Sequence, residues 1–460
     1  MSLSGGLAFA DQSADKGIAS GSVFAEPTRQ IDVVDDCDVI VCGGGPAGFG
    51  AAIAAARAGA RARLFDVNGC LGGVWTAGML TYIFDIDKPG LPREITRRLD
   101  LRDARVAGHK DPSRYVYHVE EMKCLLEEMV TEEKITVQLH TRVVAAYKNS
   151  ANRLETIVTE SKSGRQAWRA KAFIDATGDG DLGALAGCGW EFGEQSGPAC
   201  PCQPMTMNAL ITVPDIEAIK DFILLYKGDD SSWSSYQNQA RQRFLVELKR
   251  AGVKPSYGVP TLFHMRGSLL DLMANHEYGI RPFDAAAVSD ATIRARAEID
   301  NMVRALRSLG GIWEGIDLVA TAEQIGIRDG RRIKGRYQVT QDDLVQGARH
   351  KDAIARVTFG VDVHAATKKE NEKQAISKKG VHAKPYDIPL RALIAKDVDG
   401  LMMAGRCISG DFLAHASYRV TGNAVAMGEA AGAVSALSAR DRRPPHEVEW
   451  AAAKRLLKQG

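Results

Sequence analysis

Long apolar stretches are missing from this chain of 460 residues. No uninterrupted apolar run reaches the roughly 18 residues that a membrane-spanning helix requires, so we expect no membrane partner. The start of the chain also lacks the basic residues and the long apolar core of a signal peptide, since the run Leu7–Ala10 is interrupted by Asp11. Residues 1–30 are rich in Ser, Gly and Ala and have no sustained period, which predicts a flexible leader.

An excess of one charge is also absent. Lys and Arg together number 59, Asp and Glu 57, and the formal net charge is +2. The sequence has no basic cluster of the kind that marks a nucleic-acid surface, which argues against nucleic acid as a partner. Hydrophobic residues make up 45% and charged residues 25%, as is typical of a globular protein with two or three domains. We expect a small molecule as the partner, and the composition is also compatible with a homo-oligomer.

Cysteine is scarce, with eight in the chain. Cys200 and Cys202 form the only close pair, but their spacing is not CxxC and no matching His or Cys cluster follows. We therefore predict unpaired loop thiols here, with a redox or metal role as the alternative, and no metal site elsewhere. Such cysteine usage fits a reducing, cytoplasmic compartment best.

What the sequence does contain near its start is a strand–helix–strand pattern. Asp38–Cys42 is a short apolar run typical of a buried strand. Pro46–Ala58 is rich in helix-forming residues, with Pro at a first-turn position and Gly59 at the expected end. Arg61–Phe65 then reads as a second strand. This unit builds parallel sheets and predicts an α/β fold.

The turn between the first strand and the helix carries a phosphate-binding motif. The segment Gly43–Gly48 satisfies G-x-G-x-x-G and lies between a predicted strand and a predicted helix, which is the context that gives the motif meaning. Gly43 permits the tight turn, Gly45 lets the backbone approach a pyrophosphate, and Gly48 allows close packing of helix on strand. Pro46 and Ala47 open the helix, whose N-terminal N–H groups attract phosphate. We predict a dinucleotide site.

Two acidic segments refine this prediction. Asp66 ends the second strand, where its carboxylate can accept hydrogen bonds from ribose hydroxyls and would repel the 2′-phosphate of NADP. The segment Gly178–Gly183 also fits G-x-G-x-x-G, but Asp179 and Asp181 would put two negative charges beside a pyrophosphate. We predict that Asp179 or nearby backbone, such as Gly178, contacts a ribityl chain or ribose instead. The alternative is a capped turn that enters a helix.

Several motifs together resemble a known family. Asp38–Gly59, followed by Gly69–Gly73 and Thr76, resembles the start of FAD-dependent oxidoreductases with a glutathione-reductase-type fold, and Ala176–Asp181 resembles their second FAD motif. Four later segments resemble the bacterial FAD-dependent oxidoreductase family: Gly326–Ile333, Asp362–His364, Tyr386–Arg391 and Ala404–Ser409. The likeness runs from about residue 31 to 437 and is weakest in the middle.

The resemblance implies FAD as the cofactor and a set of cofactor-binding residues. These are Gly43, Gly45, Pro46, Ala47, Gly48, Asp66, Gly72, Gly73, Thr76, Val143, Gly178, Asp179, Gly405, Asp411, Asn423 and Ala424. The sequence departs from the family where a His and a Glu often follow the position of Asp411, because Phe412 and Leu413 stand there. A frequent Met-Pro pair is replaced by Thr421-Gly422, so the family's substrate specificity does not transfer.

The resemblance also points to catalytic residues before a helix that we expect to start near Ala424. Such a helix N-terminus is implied to face the pyrimidine side of the isoalloxazine, where its dipole stabilises negative charge. The surrounding segment is similar to one in fumarate reductases and succinate dehydrogenases, in which an Arg meets substrate carboxylate. Arg419 is therefore a candidate anion clamp or proton donor, with pairing to a loop carboxylate as the alternative. His415 is a candidate general base or a structural His, and His364 is a weaker candidate.

The expected fold is a Rossmann-like FAD-binding domain with a parallel sheet and an inserted α+β substrate or cap domain. We place the first part of the FAD domain at 31–190, the insertion at 191–335 and the C-terminal part at 336–460. The expected function is hydride transfer between a small organic substrate and flavin N5. One alternative is an FAD-dependent monooxygenase, although no second credible nucleotide motif is present for NAD(P)H. The other is a flavin electron-transfer subunit of a larger complex.

Overall fold

The computed structural model describes residues 26–107, 111–194, 202–226 and 233–457, without the side chains of 233–237. The predicted leader therefore lies largely outside the described residues. The strands are β1 Val33–Cys42, β2 Ala62–Phe65, β3 Tyr82–Ile83, β4 Arg105–Ala107, β5 Tyr115–Tyr117, β6 Thr136–Gln138, β7 Arg142–Lys148, β8 Leu154–Ser161, β9 Gly164–Asp175, β10 Trp190–Glu191, β11 Asn208–Thr212, β12 Thr261–Arg266, β13 Leu269–Met273, β14 Asp317–Thr321, β15 Arg332–Ile333, β16 Ala353–Val357, β17 Val363–His364, β18 Ile376–Ser377, β19 Tyr386–Pro389 and β20 Leu401–Met403.

The helices alternate with these strands. They are α1 Pro46–Arg57, α2 Leu91–Leu101, α3 Val119–Glu132, α4 Asp181–Leu185, α5 Trp233–Arg250, α6 Ala285–Ser308, α7 Gln341–Gln346, α8 Lys368–Lys373, α9 Phe412–Tyr418, α10 Thr421–Asp441 and α11 Trp450–Leu456. Short 3₁₀ helices occur at Gly73–Trp75, Glu217–Phe222, Gly311–Trp313, Leu390–Leu393, Gly405–Cys407 and Pro445–Glu447.

The main sheet has seven strands in the order β6-β2-β1-β9-β8-β7, with β20 paired to β9. β1 runs parallel to β2, with Val39 opposite Ala62, and parallel to β9, with Val41 opposite Ile174. β6 and β20 join the sheet in parallel, whereas β7 and β8 are antiparallel. This topology confirms the predicted α/β fold with a parallel sheet. The carboxyl ends of the five parallel strands β6, β2, β1, β9 and β20 meet at one edge, where ligands of such sheets bind.

Helices α1 and α10 pack against each other at backbone contact. A Cβ at Gly428 would collide with the carbonyl oxygen of Ala47, and a Cβ at Gly432 would collide with that of Ala51. Gly50 faces α10 in the same way, because a Cβ there would lie 2.8 Å from the carbonyl oxygen of Val425. The small residues of both helices are therefore required by packing rather than by helix propensity.

The start of α10 corrects the sequence prediction. The helix begins at Thr421, ahead of the predicted start near Ala424, because Val420 adopts the extended N-cap conformation. Gly422 then lies in the first turn, where a Cβ would collide with the carbonyl oxygen of Phe84. The replacement of the family's Met-Pro pair thus lets the helix start approach the backbone at Phe84.

A second sheet, β12-β13-β11-β14, is antiparallel throughout. Its apolar face and α5 and α6 enclose a second hydrophobic core, which includes Ile211, Leu270, Ile299 and Trp313. α6 begins at Ala285 because the Asp284 carboxylate caps it, accepting a hydrogen bond from the Ala287 N–H at 3.0 Å. These elements fall within the predicted insertion 191–335, whose boundaries stay a prediction.

The described residues include neither a helix that could span a membrane nor a cluster of metal-ligating side chains, and one cysteine differs from expectation. No described helix is long and apolar enough to cross a membrane. The described side chains form no group of three or more His, Cys, Asp or Glu that could hold a metal ion. Cys202 is disulfide-bonded, so the prediction of an unpaired thiol is wrong for this residue, while Cys200 lies outside the described residues.

Asp271 on β13 makes stability depend on pH. Its side chain is fully buried, its Oδ2 accepts a hydrogen bond from the Thr81 hydroxyl at 2.7 Å, and its Oδ1 has no partner among the described residues. Burial raises the pKa of Asp271 to about 7 from 3.8. The folded state therefore binds a proton that the unfolded state releases, and stability falls as pH rises from 3.8 to about 7.

We expect Asp271→Asn to flatten this dependence. Asp271 should contribute a decline in the free energy of unfolding of up to about 1.4 kcal/mol per pH unit below pH 7, which the variant lacks. Urea titrations from pH 4.5 to 8 measure the slope, with the exposed Asp290→Asn as the matched control. Parallel curves for wild type and Asp271→Asn would show that the carboxyl is already ionised in the fold.

Candidate cofactor and substrate site

One continuous pocket runs from the carboxyl edge of the main sheet to the second sheet. On the side of the main sheet it is lined by Gly43, Gly45, Asp66, Val143, Gly178 and Gly405. On the far side it is lined by Thr206, Arg241, Tyr257, Phe263, Met273 and Arg328. The pocket thus joins the predicted dinucleotide site to side chains of the second sheet and its neighbouring segments. We call the latter side the far half of the pocket.

The three motif glycines have different surroundings. Gly43 has a φ of +100°, and a Cβ there would collide with the carbonyl oxygen of Ala176. A Cβ at Gly48 would collide with the carbonyl oxygen of Gly43. A Cβ at Gly45 would meet nothing within 4 Å and would enter the pocket. The first and third glycines are therefore required by packing, and the second leaves room for a ligand.

The N-terminus of α1 opens onto this room. Gly45 is its N-cap, Pro46 and Ala47 follow on the pocket wall, and the first turn holds no acidic residue. Free backbone N–H groups and the positive end of the helix dipole are therefore available to an anion. The arrangement fits a pyrophosphate.

Asp66 holds the glycine loop through a hydrogen bond to its backbone and also lines the pocket. Its Oδ2 accepts a hydrogen bond from the Gly44 N–H at 2.5 Å, and its Oδ1 accepts one from the Asn68 N–H at 2.7 Å. Burial raises the pKa of Asp66 above its usual value. The side chain lies at the end of β2, as the ribose-binding role requires.

The segment Gly69–Thr76 supports the loop and contributes one wall residue from the predicted set. Gly73 lines the pocket, and a Cβ there would lie 3.0 Å from the Gly45 Cα. The Gly72 N–H donates to the Gly44 carbonyl at 2.8 Å, and the buried Thr76 hydroxyl donates to the Leu71 carbonyl at 2.5 Å. Neither Gly72 nor Thr76 lies on the pocket wall, so their contacts shape the loop.

The two acidic residues of the second glycine motif form ion pairs with arginines. The Asp179 carboxylate lies 2.8 Å from Arg406 Nη2, and the Asp181 Oδ1 lies 2.9 Å from Arg331 Nη1. Gly178 lines the pocket with a φ of +80°, whereas Asp179 does not lie on the wall. α4 begins directly after Gly180, its N-cap, which makes no side-chain cap hydrogen bond, and Asp181 lies on the pocket wall.

The predicted site residues near the C-terminal end of the pocket lie on or next to the helices α9 and α10. Asp411 is the N-cap of α9, where Oδ1 accepts from the Ala414 N–H and Oδ2 from the Gln341 N–H, both at 2.7 Å. Gly405 and Ala424 line the pocket. Asn423 is fully buried beside this wall, and neither polar atom of its amide has a partner among the described residues. Such an orphaned amide fits a polar ligand group.

Arg419 follows α9 and lies on the pocket wall. Its Nη2 donates to the Asp362 carbonyl at 2.9 Å, to the Asp362 Oδ2 at 3.2 Å and to the Gln203 Oε1 at 3.2 Å. Arg419 therefore pairs with a carboxylate, Asp362, which is the alternative that the sequence left open, and it also reaches the pocket.

The two candidate histidines differ in placement. His415 is fully buried and off the pocket wall, with Nδ1 3.3 Å from Asp329 Oδ1, and burial lowers its pKa to about 4. His364 lines the pocket, with Nε2 3.4 Å from Asp362 Oδ2, and burial lowers its pKa to about 4. The structure thus brings His364, Asp362 and Arg419 together and leaves His415 behind them.

Sequence reasoning did not single out three wall residues of the far half: Arg241, Tyr257 and Arg328. They come from α5, from the approach to β12 and from the segment after β14. Arg328 lay within a segment that resembles the family, but no spacing rule connects it with the other two. Their shared location arises only from the tertiary fold.

Comparison with known proteins gives one family match. The model of the family described as FAD dependent oxidoreductase matches residues 38–457. No curated protein matches the chain.

Solved structures show distant similarity. A geranylgeranyl bacteriochlorophyll reductase-like protein from Thermoplasma acidophilum is 13% identical, over 92% of this chain and 84% of that chain, with a TM-score of 0.46. The p-nitrophenol 4-monooxygenase PnpA from Pseudomonas putida DLL-E4 is 11% identical, over 66% and 71%, with a TM-score of 0.41. The flavin-dependent brominase Bmp2 is 10% identical, over 92% and 83%, with a TM-score of 0.45. At these scores the similarities bear on neither substrate nor reaction.

Proposed function

The chain belongs to the family of FAD-dependent oxidoreductases, and from this premise we propose that it transfers a hydride between a small organic substrate and flavin N5. The observation that carries the proposal is the single pocket that joins the glycine loop to Arg419. Bound FAD supplies a two-electron acceptor or donor in this pocket. A cytoplasmic location and a homo-oligomer stay predictions from sequence.

We assign the FAD-holding residues by their position along the pocket. The N-terminus of α1, at Gly45, Pro46 and Ala47, holds the pyrophosphate, and Asp66 holds the adenosine ribose. Val143 lies beside this end of the pocket. The open space at Gly45 supports the assignment. Of the motif glycines Gly43, Gly45 and Gly48, Gly45 is the one at which an added Cβ would have no neighbouring atom within 4 Å.

The flavin end is assigned to the wall near the start of α10. Gly178, Gly405 and Ala424 line it, and the orphaned amide of Asn423 lies beside it. Asp179 acts through Arg406, which does line the pocket. Segments 31–190 and 336–460 then form the FAD-binding domain, and 191–335 forms the cap that sets substrate choice.

Proton transfer is assigned to His364 rather than His415, because His364 lines the pocket. His364, Arg419 and Arg328 hold the pKa of Asp362 well below its usual range, so Asp362 stays ionised. Burial lowers the pKa of His364, so its imidazole is neutral at pH 7 and has a nitrogen lone pair that can accept a proton, and the neighbouring Asp362 carboxylate would stabilise the imidazolium formed. FAD bound here would supply the acceptor for the hydride of a substrate C–H bond, and the proton of the adjacent O–H or N–H would go to His364.

Arg419 is the proposed anion-stabilising residue. Asp362 fixes its guanidinium through Nη2, and the side chain lines the pocket wall. Negative charge that develops on the substrate oxygen during proton removal is stabilised by this preorganised cation.

The purified protein tests the proposal through its visible spectrum. We expect a yellow protein whose flavin absorbance bleaches anaerobically with at least one member of a panel of hydroxy acids, sugars and amines. After chemical reduction, an enoate from the panel should restore the absorbance if the enzyme works in the reductive direction. Bleaching by NAD(P)H alone, followed by oxygen-dependent product formation, would instead establish the monooxygenase. Loss of all bleaching unless a partner protein is added would establish the electron-transfer subunit.

A further inference from the structure

Arg328 lies on the wall of the far half without a carboxylate partner. Its Nη1 donates to the Pro204 carbonyl at 2.8 Å and to the Thr206 hydroxyl at 2.7 Å. Within the described part of the chain these are its hydrogen bonds, and it forms no ion pair there. Nε and Nη2 have no hydrogen-bond partner among the described residues, and both atoms keep accessible surface. This free edge of the guanidinium presents two parallel donors to the pocket.

The charges around this edge do not balance. Among the described residues, this part of the pocket wall carries three arginines, Arg241, Arg328 and Arg419, and one carboxylate, Asp362. Asp362 is already engaged by Arg419. Burial lowers the pKa of Arg328 to about 10, with the nearby Arg419 as the next cause, so the side chain is enclosed yet charged at pH 7. Asp362 and Asp329 offset this charge without forming an ion pair with Arg328, and an anionic ligand would supply the missing direct partner.

Tyr257 adds a neutral donor to the same wall. Its ring is buried and lines the pocket, and no hydrogen bond to its hydroxyl occurs among the described residues. Burial raises the pKa of Tyr257 to about 12, so the hydroxyl keeps its proton at pH 7. Tyr257 also interacts electrostatically with Arg328, which places the two groups near each other.

We infer that the substrate is a carboxylic acid whose carboxylate binds to the free edge of Arg328 and the hydroxyl of Tyr257. The inference rests on the proposed function, because it needs FAD at one end of the pocket and substrate at the other. Two parallel N–H donors match the two oxygens of a carboxylate. Arg328 is thus the residue that holds the substrate, while Arg419 acts at the reacting oxygen next to α10.

Benzoate and its neutral isostere benzamide are the probes. The aromatic side chains of Phe84, Phe263 and Phe359 line the same pocket and suit a phenyl ring. We expect isothermal titration of the FAD-loaded protein to show benzoate binding at least about 10-fold more tightly than benzamide, the range for a hydrogen bond to a charged group. Phenyl phosphate forms a third arm that separates the two anions an arginine fork can hold, because the fork fits phosphate as well as carboxylate. A carboxylate site requires that benzoate bind more tightly than phenyl phosphate.

Three variants locate the binding. Arg328→Gln should weaken benzoate by about 10- to 100-fold and leave benzamide unchanged, since it removes the charge and the fork. Arg328→Lys should fall between, and Tyr257→Phe should weaken benzoate by about 5-fold. The matched control is Arg296→Gln on α6, which removes one positive charge outside the pocket and should change neither affinity.

Each outcome decides a separate question. Equal binding of benzoate and benzamide, unchanged benzoate affinity in Arg328→Gln, or stronger binding of phenyl phosphate would overturn the carboxylate inference while FAD absorbance upholds the proposed function. A protein that retains no FAD overturns the proposed function, and the benzoate comparison on that protein still decides the carboxylate site. If Arg328→Gln fails to fold, Tyr257→Phe and the comparison of probes in the wild type decide instead.

Discussion

Gly45→Asp is expected to yield a folded protein that purifies without FAD. An added side chain at Gly45 meets no protein atom within 4 Å, so the fold tolerates it. The same side chain fills the space in front of α1, where the pyrophosphate is proposed to bind, and brings a negative charge to it. The ratio of absorbance at 450 nm to that at 280 nm measures the loss of FAD from the purified protein. We expect a ratio of about zero for the variant, compared with that of a fully loaded wild type.

The glycine at position 48 provides the contrasting control. A Cβ at Gly48 would collide with the Gly43 carbonyl oxygen, so Gly48→Ala should lose both flavin and thermal stability. Gly45→Asp should lose flavin and keep a wild-type far-ultraviolet circular dichroism spectrum. A yellow, fully loaded Gly45→Asp protein would remove the pyrophosphate assignment.

Arg419→Ala and Arg419→Lys should both slow flavin reduction by substrate by about 10²- to 10³-fold, on the scale of one lost oxyanion donor. The Ala variant removes the cation and releases Asp362 from its contact with Nη2. The Lys variant keeps the charge, but one ammonium cannot hold Asp362 and orient a planar fork along the wall. Stopped-flow absorbance with a substrate identified by the panel measures the rate at saturation.

A matched arginine separates this effect from the general loss of an ion pair. Arg391 pairs with Asp352 at 2.9 Å on the surface, so Arg391→Ala should leave the reduction rate within about 2-fold of wild type. The defect of Arg419 variants should appear in the saturating rate, whereas that of Arg328 variants should appear in affinity. Wild-type reduction rates in both Arg419 variants would make Arg419 structural and withdraw the catalytic interpretation of residues 411–423.

Local patterns predicted the main elements because the determinants are local. The glycine turn, Pro46 at the first turn of α1 and the apolar run before Gly43 all act within a few residues of one another. The parallel pairing of β1 with β2 confirms the strand–helix–strand prediction.

The far half of the pocket was beyond such patterns. Arg241, Tyr257 and Arg328 lie on separate segments, and the tertiary fold brings them to one pocket wall. The helix α9 was missed as well, although one signal was available. Asp is a favoured N-cap residue, and Asp411 accepts a hydrogen bond from the N–H of Ala414, three positions later. Whether His415 or His364 reaches the pocket depends on how α9 packs, which spacing alone does not encode.

The backbone contact between α1 and α10 also orders events during biosynthesis. α1 is translated before α10, so the surface around Gly50 is completed only when Gly428 and Gly432 have been made. β20, which extends the main sheet beside β9, is likewise translated after α1. Because contacts so distant in sequence form slowly, the nascent chain carries an uncovered apolar helix face until α10 is available. A chain that stops before α10 therefore lacks the part of the pocket wall that Thr421 and Ala424 provide, however much of the main sheet it contains.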